Sequence, residues 1–437
     1  MSWANDYPDK YSLPVAGRYL TAYLPGTGGR IKVQPEDFVV DELPLYDPCG
    51  QGEHTYARIE KQGLSTFEAV QAIARELHVP ARDIGFAGIK GAQAISRQTV
   101  SLMHVEPEEV EKLRIPGLEV LWVSRHRNKL RTGHLRANRF TIRVRDVGES
   151  ALPWTRRLLD LLLQRGVPNH YGPQRFGQRA NSHLLGRSLL HDDAASFLAE
   201  FLGHPRSQEG GATLQARLRF DASDWAGALQ LWPPAMTGEL HALRILIETR
   251  DEARAVRSVS RRMRRFLLSA YQSHLFNRIV AARLEEIDRV REGDLAWKHD
   301  SGAVFLVEDA GAEQPRAERL EISPSGPIFG YKMRMAEGEP GRVEREVLEG
   351  EGLSLEDFRL RGGLRAEGAR RPLRVPLGEV ELWYDEGLML RFELPPGSYA
   401  TNVLCEIMKG DLSESGKGSS IESTLILSES TRKDEGR

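Results

Sequence analysis

Strand-like alternation of apolar and polar residues occupies two separated parts of this chain, and whatever sheet they form must accommodate the long stretch between them. The first part holds "RIKVQPEDFVVDELP" and "HTYARIEK" between Arg30 and Lys61, joined by a Gly/Pro loop "YDPCGQGE". It continues with the short apolar "IGFAGIK" and with "ANRFTIRVRDV", in which Phe140, Ile142 and Val144 fall on one face. The pattern then changes. Residues 151–165, 181–203 and 251–290 show helical periodicity, whereas "LQARLRF" (Leu214–Phe220) reads as a single strand. Two strands return in "EVELWYDEGLMLRFELP", followed by a helix, "YATNVLCEIMKG". Early in the chain Ser65–His78 predicts a helix: Ser65 and Glu68 have capping-box spacing, and Val70, Ile73, Ala74 and Leu77 form its apolar stripe.

Composition removes several alternatives. A chain of 437 residues has ample length for two or three domains, and 40% hydrophobic with 28% charged residues is ordinary for a globular protein. No apolar run reaches the length of a membrane span, and "MSWANDYPDKYSLP" lacks the regions of a signal peptide, so the expected location is the cytoplasm. Cys49 and Cys405 lie far apart without a CxxC pair or neighbouring histidines, which reads as two structural thiols and no zinc site. "GTGG" near Gly26 and "RGGL" near Gly362 lack the strand and helix context of phosphate loops and read as turns. The serine-rich end after Lys409 reads as a disordered tail with a sticky "STLIL".

The 62 acids and 60 bases nearly cancel, so any affinity for nucleic acid must come from their distribution. "SRHRNKLRTGHLRANRF" carries Arg125, Arg127, Lys129, Arg131, Arg136 and Arg139 with hardly an acid, and runs into a strand led by Phe140. That density suits phosphate contacts with an aromatic ring at hand to stack on a base. A second run, "TRDEARAVRSVSRRMRRF", is equally well read as a solvated helix face.

The chain resembles the TruD family of pseudouridine synthases. The resemblance rests on "GGRIKVQPEDFVVDELPLYDPCGQGEHTYARIEKQGLSTFEAV", "AGIKGAQAISRQ", "NKLRTGHLRANRF", "PNHYGPQRFGQ", "LSAYQSHLFN" and "LPPGSYATNVLCEIMK", six motifs in order over roughly residues 28–410. It implies an α+β fold: a pseudouridine-synthase-type catalytic domain with a mixed or antiparallel sheet, plus a large α/β insertion domain particular to the family. With limits set where the strands stop and return, the expected divisions are an extension at 1–27, the catalytic domain at 28–175 and 369–411, the insertion at 176–368, and a tail at 412–437. The resemblance also implies a tRNA substrate, uridine 13 as the usual target, no cofactor or metal, and neither a membrane nor a protein partner.

The same resemblance names site residues and exposes one departure. By motif position Lys32 lies near the catalytic carboxylate, Asn138 hydrogen-bonds around it and Phe140 stacks on the target base. Lys90, Gln98, Gln174, Arg175 and Phe176 help to form the RNA cleft together with the basic stretch. Plainer readings stand beside these: Lys32 as a surface lysine, Phe140 as core, Arg175 as an ion-pair partner. In the family an aspartate directly follows the motif's lysine; here Lys90 is followed by Gly91. Breaking the bond from uracil N1 to ribose and rejoining through C5 calls for an anion that adds covalently or takes a sugar proton, and glycine supplies neither. Losing a covalent nucleophile has cost other enzymes on the order of a million-fold in rate. Asp83, the nearest upstream acid, is separated from Gly91 by the presumed strand and is a poor substitute. The expectation is therefore a synthase by descent whose activity is in question, with a catalytically inactive tRNA-binding protein or RNA chaperone as the alternative.

Overall fold

The computed structural model describes residues 17–206, 209–360 and 364–410. The chain divides into two compact units. One holds Gly17–Asn169, Pro315–Ser323 and the segment from Arg374 on; the other holds His170–Gln314 and Pro324–Leu373.

The first unit is built on an eight-stranded mixed sheet. Its strands are β1 (Phe38–Pro44), β2 (His54–Lys61), β3 (Ile84–Phe86), β4 (Ile95–Met103), β5 (Leu118–His126) and β6 (Leu135–Val144), with Gly378–Tyr384 and Leu388–Leu394 added from the far end of the chain. The two late strands form a hairpin that pairs with β6, and the order continues through β1, β4 and β2 to β5 at the edge, with β3 also on β4. Among these pairs β1 and β4 are parallel and the others antiparallel. Helix α1 (Thr66–Glu76) starts at Ser65 with the expected reciprocal cap and lays Ala69, Val70 and Ile73 on Ala57, Ile59, Val100 and Leu102. Each of the valine, leucine and isoleucine side chains contributes about 1.5–3 kcal/mol on leaving water.

The first strand is shorter than its alternation suggested. Pro35–Asp37 is a 3-10 turn, Lys32 has φ 56°, and only Arg30 bridges to Arg145 ahead of Phe38. The cause is local: Gln34 and Asp37 cap one another, and Asp37 is fully buried and gripped by the Arg145 guanidinium at 2.7 Å. Arg145 holds the Asp37 carboxyl below the usual range in spite of burial.

The second unit consists of helices and a four-stranded sheet, and its helical part is closed by Phe197, Leu198, Leu202, Leu243, Leu246 and Leu267. Here the expected strand at "LQARLRF" is in fact the helix Gly211–Asp221. Its buried residues are Ala216, Arg217 and Phe220, a helical spacing that the alternating letters conceal. Arg217 is 1% exposed because Glu209 pairs with it at 2.9 Å and the Phe201 carbonyl accepts from it at 2.7 Å, so a charged letter stands at an inward position. The expected continuous helices also break. Asp193 caps a new helix through Ser196 N, and Ser260 caps another through Met263 N. Neither Cys49 nor Cys405 forms a disulfide, and among the described residues no helix is long and apolar enough to cross a membrane. The sequence's tail, including "STLIL", lies outside the described residues.

Candidate active site

The site grows out of the register of three neighbouring strands. β1 and β6 place Glu42 opposite Asn138 and Val40 opposite Phe140, and residues two apart share a face, so Glu42, Asn138 and Phe140 point to one side. β4 brings Ser96 and Gln98, both fully buried, beside them. The segment Ala87–Ala94, which contains the sequence motif, connects β3 to β4.

Lys90 is the anchor of that segment. Its N–H donates to Thr66 Oγ1 at 2.8 Å, and its carbonyl accepts from Thr66 N at 3.1 Å. Its ammonium lies 3.0 Å from Glu42 Oε2, with both side chains almost wholly buried. The other oxygen of Glu42 accepts from Thr99 N at 3.2 Å. That amide lies where β4 has left β1, whose pairing ends at Arg97, and has not yet met β3, whose pairing begins at Val100. Glu42 thus caps a gap in the sheet while neutralising Lys90.

Lys61 comes to the same loop from the end of β2. Its ammonium donates to the carbonyls of Leu64 at 2.6 Å, Gly91 at 3.0 Å and Lys90 at 3.4 Å. Burial, together with the neighbouring Lys90 charge, brings its pKa down to about 7. Thr66 Oγ1 donates to Gln98 Oε1 at 2.8 Å. Gln98 Nε2, Ser96 Oγ and Asn138 Oδ1 are buried without a hydrogen-bond partner, and buried polar groups of this kind ordinarily have one.

Gly91 itself is exposed, its φ lies outside the left-handed region, and a Cβ built there meets nothing within 4 Å. A larger residue, aspartate included, fits this backbone without strain or collision.

The remaining residues singled out in the sequence fall into three groups. Lys32 is half-buried with its ammonium 4.7 Å from the Phe38 ring centroid, and burial lowers its pKa. Phe140 is packed between Phe38 at 6.2 Å, edge to face, and Phe392 at 5.6 Å, which leaves it 7% exposed. In the basic stretch the acids missing from the local sequence arrive from elsewhere. Arg125 pairs with Glu106, and Arg139 with Glu393 at 2.7 Å and Glu379 at 2.8 Å. Lys129 donates to the Arg82 carbonyl at 2.7 Å, while Arg127, Arg131 and Arg136 remain exposed. Gln174, Arg175 and Phe176 belong to the other unit, in the 3-10 turn Pro173–Phe176. There Arg175 is buried, donates to Ser273 Oγ at 3.1 Å and to Ser269 Oγ, and lies over the Tyr171 and Phe266 rings; Phe176 is fully buried against His183. Among the described residues no group of histidine, cysteine and acidic side chains is arranged to hold a metal.

The chain matches the family described as tRNA pseudouridine synthase D (TruD) over residues 15–407. It belongs to the TruD family. The tRNA pseudouridine synthase D of Geobacter sulfurreducens is 52% identical to it over 394 residues, spanning 90% of this chain and 97% of that protein. The protein of the same name from Anaeromyxobacter dehalogenans is 40% identical, spanning 90% and 96%. The crystal structure of a candidate TruD from Methanosarcina mazei superimposes with a TM-score of 0.79 at 27% identity, covering 93% of this chain and 99% of that one. The α+β fold with a mixed sheet is therefore that of a TruD protein.

Glu42, Lys61 and Thr66 were not among the site residues drawn from the sequence. The first two carry a readable sign. Phe38, Val40 and Glu42 alternate on β1, and Thr55, Ala57, Ile59 and Lys61 on β2, so each charged residue occupies a position on a face that is otherwise apolar or small.

Proposed function

We propose that this TruD protein binds tRNA and holds a uridine, with position 13 the target the family suggests, against the face that carries Asn138 and Phe140, and that isomerisation there requires an acid at position 91. The carrying observation is the loop itself. Lys90 is fixed by Thr66 and Glu42, and Glu42 stands opposite Asn138, so the residue after Lys90 is presented from a rigid anchor.

In this reading the exposed Arg127 and Arg131, with Arg125 and Lys129, meet phosphates. The target base leaves its stack at a cost of a few kcal/mol, offset by those contacts and by the edge of the Phe38–Phe140–Phe392 cluster. Asn138 Oδ1, without a hydrogen-bond partner on a half-buried residue, is an acceptor that fits the polar edge of a base or ribose, whereas Gln98 is fully buried and supports the loop through Thr66 instead of meeting RNA. An ionised carboxylate at position 91 would then add to the sugar or remove its proton.

Glu42 does not take over that work. Both of its oxygens are engaged and it is 1% exposed. The chain with Gly91 is accordingly expected to bind tRNA without turning it over, and Gly91→Asp to turn it over. A pseudouridine assay on unmodified tRNA tests this, and an inactive Gly91→Asp protein that is folded and binds tRNA would favour the second reading, a non-catalytic tRNA-binding protein or RNA chaperone.

A further inference from the structure

Lys61 is out of place on chemical grounds. It occupies an inward position of β2 after Thr55, Ala57 and Ile59, it is 1% exposed, and its ammonium contacts carbonyl oxygens and no carboxylate. Removing an ammonium from water costs several kcal/mol, and a methionine would fill such a position without that cost. What an ammonium offers in return is three donors, and here all three are used, on Leu64, Lys90 and Gly91. These three carbonyls belong to two segments distant in sequence, which Thr66 also joins, but only at residue 90. Leu64 immediately precedes the cap of α1, whereas residues 90 and 91 belong to the loop between β3 and β4.

We propose that Lys61 is a positioning residue of this site: its buried ammonium ties the carbonyls of Lys90 and Gly91 to the start of α1 and thereby aims the side chain that stands at position 91. The inference rests on the synthase reading for its consequence in catalysis, and on geometry alone for its consequence in the loop. Thr66 fixes the residue 90 end of the same peptide through its N–H and hydroxyl, so Lys61 is the contact that extends the restraint to residue 91. A displacement of about 1 Å at a reacting group can cost on the order of 100-fold in rate, the scale on which such a restraint matters.

Two measurements test it. In the full-length chain with Gly91, hydrogen exchange of the Lys90 and Thr66 amides, which donate to Thr66 Oγ1 and to the Lys90 carbonyl, is compared between the unsubstituted protein and Lys61→Met. The expected result is at least about tenfold faster exchange at these two amides with unchanged protection in β4 and β6, and equal exchange there in a folded Lys61→Met protein would overturn the proposal. In the Gly91→Asp background, Lys61→Met is expected to lower kcat on the order of 100-fold while the KM for tRNA stays within about twofold, because a side chain this buried does not touch RNA. A loss confined to KM, or no loss, would contradict it. Lys61→Arg, which keeps the charge and donors, is expected to recover part of kcat, and it replaces Lys61→Met in both comparisons if the methionine variant does not fold, with a smaller change of the same sign expected and none overturning the proposal. If Gly91→Asp alone is inactive, the synthase reading fails, and the exchange experiment still decides the role of Lys61.

Discussion

Replacing Lys90 with methionine isolates the energetics of the site from its chemistry. The Lys90 ammonium and the Glu42 carboxylate are 3.0 Å apart with side-chain exposures of 7% and 2%. At an effective dielectric constant near 20 their attraction is about 5 kcal/mol, and desolvation of the two ions consumes a comparable amount. The pair as a whole therefore contributes little, but removing one partner leaves the other charge buried. With Lys90 gone, Glu42 keeps the Thr99 amide as its partner. Lys90→Met should lower stability by about 3–5 kcal/mol, and Glu42→Gln/Lys90→Met by only about 1–2 kcal/mol, since an amide still accepts from Thr99. Urea unfolding followed by circular dichroism gives the free energies. Hydrogen exchange at Thr99 and Val100 checks that the loss arises in the sheet unit. A Lys90→Met protein within 1 kcal/mol of the parent, or additive single and double variants, would refute the reasoning.

Three further outcomes are expected. Phe140→Ala empties the centre of the Phe38–Phe392 contact and should cost about 3–5 kcal/mol, whereas Phe140→Leu should cost appreciably less; equal losses in urea melts would mean that the cluster collapses freely. His274, 2% exposed and stacked 4.6 Å from His183, has its pKa lowered to about 3, chiefly by burial. The unfolded chain binds this proton below about 6.5 and the folded chain does not, so stability should fall as pH drops from about 6.5 toward 3, by up to about 1.4 kcal/mol per pH unit. His274→Phe should flatten that slope, and an unchanged slope would remove His274 from the account. Arg127→Glu and Arg131→Glu should each weaken tRNA binding and reduce its log-log salt dependence by about one unit, read from filter binding across a salt series; unchanged affinity would mean that the RNA lies elsewhere.

The sheet and α1 were legible because their signals are local. The reciprocal cap of Ser65 and Glu68, the alternation of β2 and β6 and the return of two strands after Gly378 each follow from neighbouring residues. What escaped depends on partners outside the immediate run of residues. The Gly211–Asp221 helix looked like a strand because Arg217 is turned inward by Glu209 and a carbonyl of another helix. The basic stretch looked uncompensated because Glu379 and Glu393 come from the far end of the chain. In the candidate site, Gly91, Lys90, Asn138 and Phe140 lie in a recognisable motif order, while Glu42 and Lys61 read as ordinary strand charges. Which face each strand buries turns them into the clamp on the loop.

In the proposed function, Gly91 alone separates this site from catalysis. The most direct test is pseudouridine formation on unmodified tRNA, measured side by side for the chain with Gly91 and for Gly91→Asp. Binding by both and product from the aspartate protein only are expected, a difference on the order of a million-fold if the acid acts as nucleophile. Product formed at comparable rates by both proteins would contradict it, because another group would then be supplying the acid.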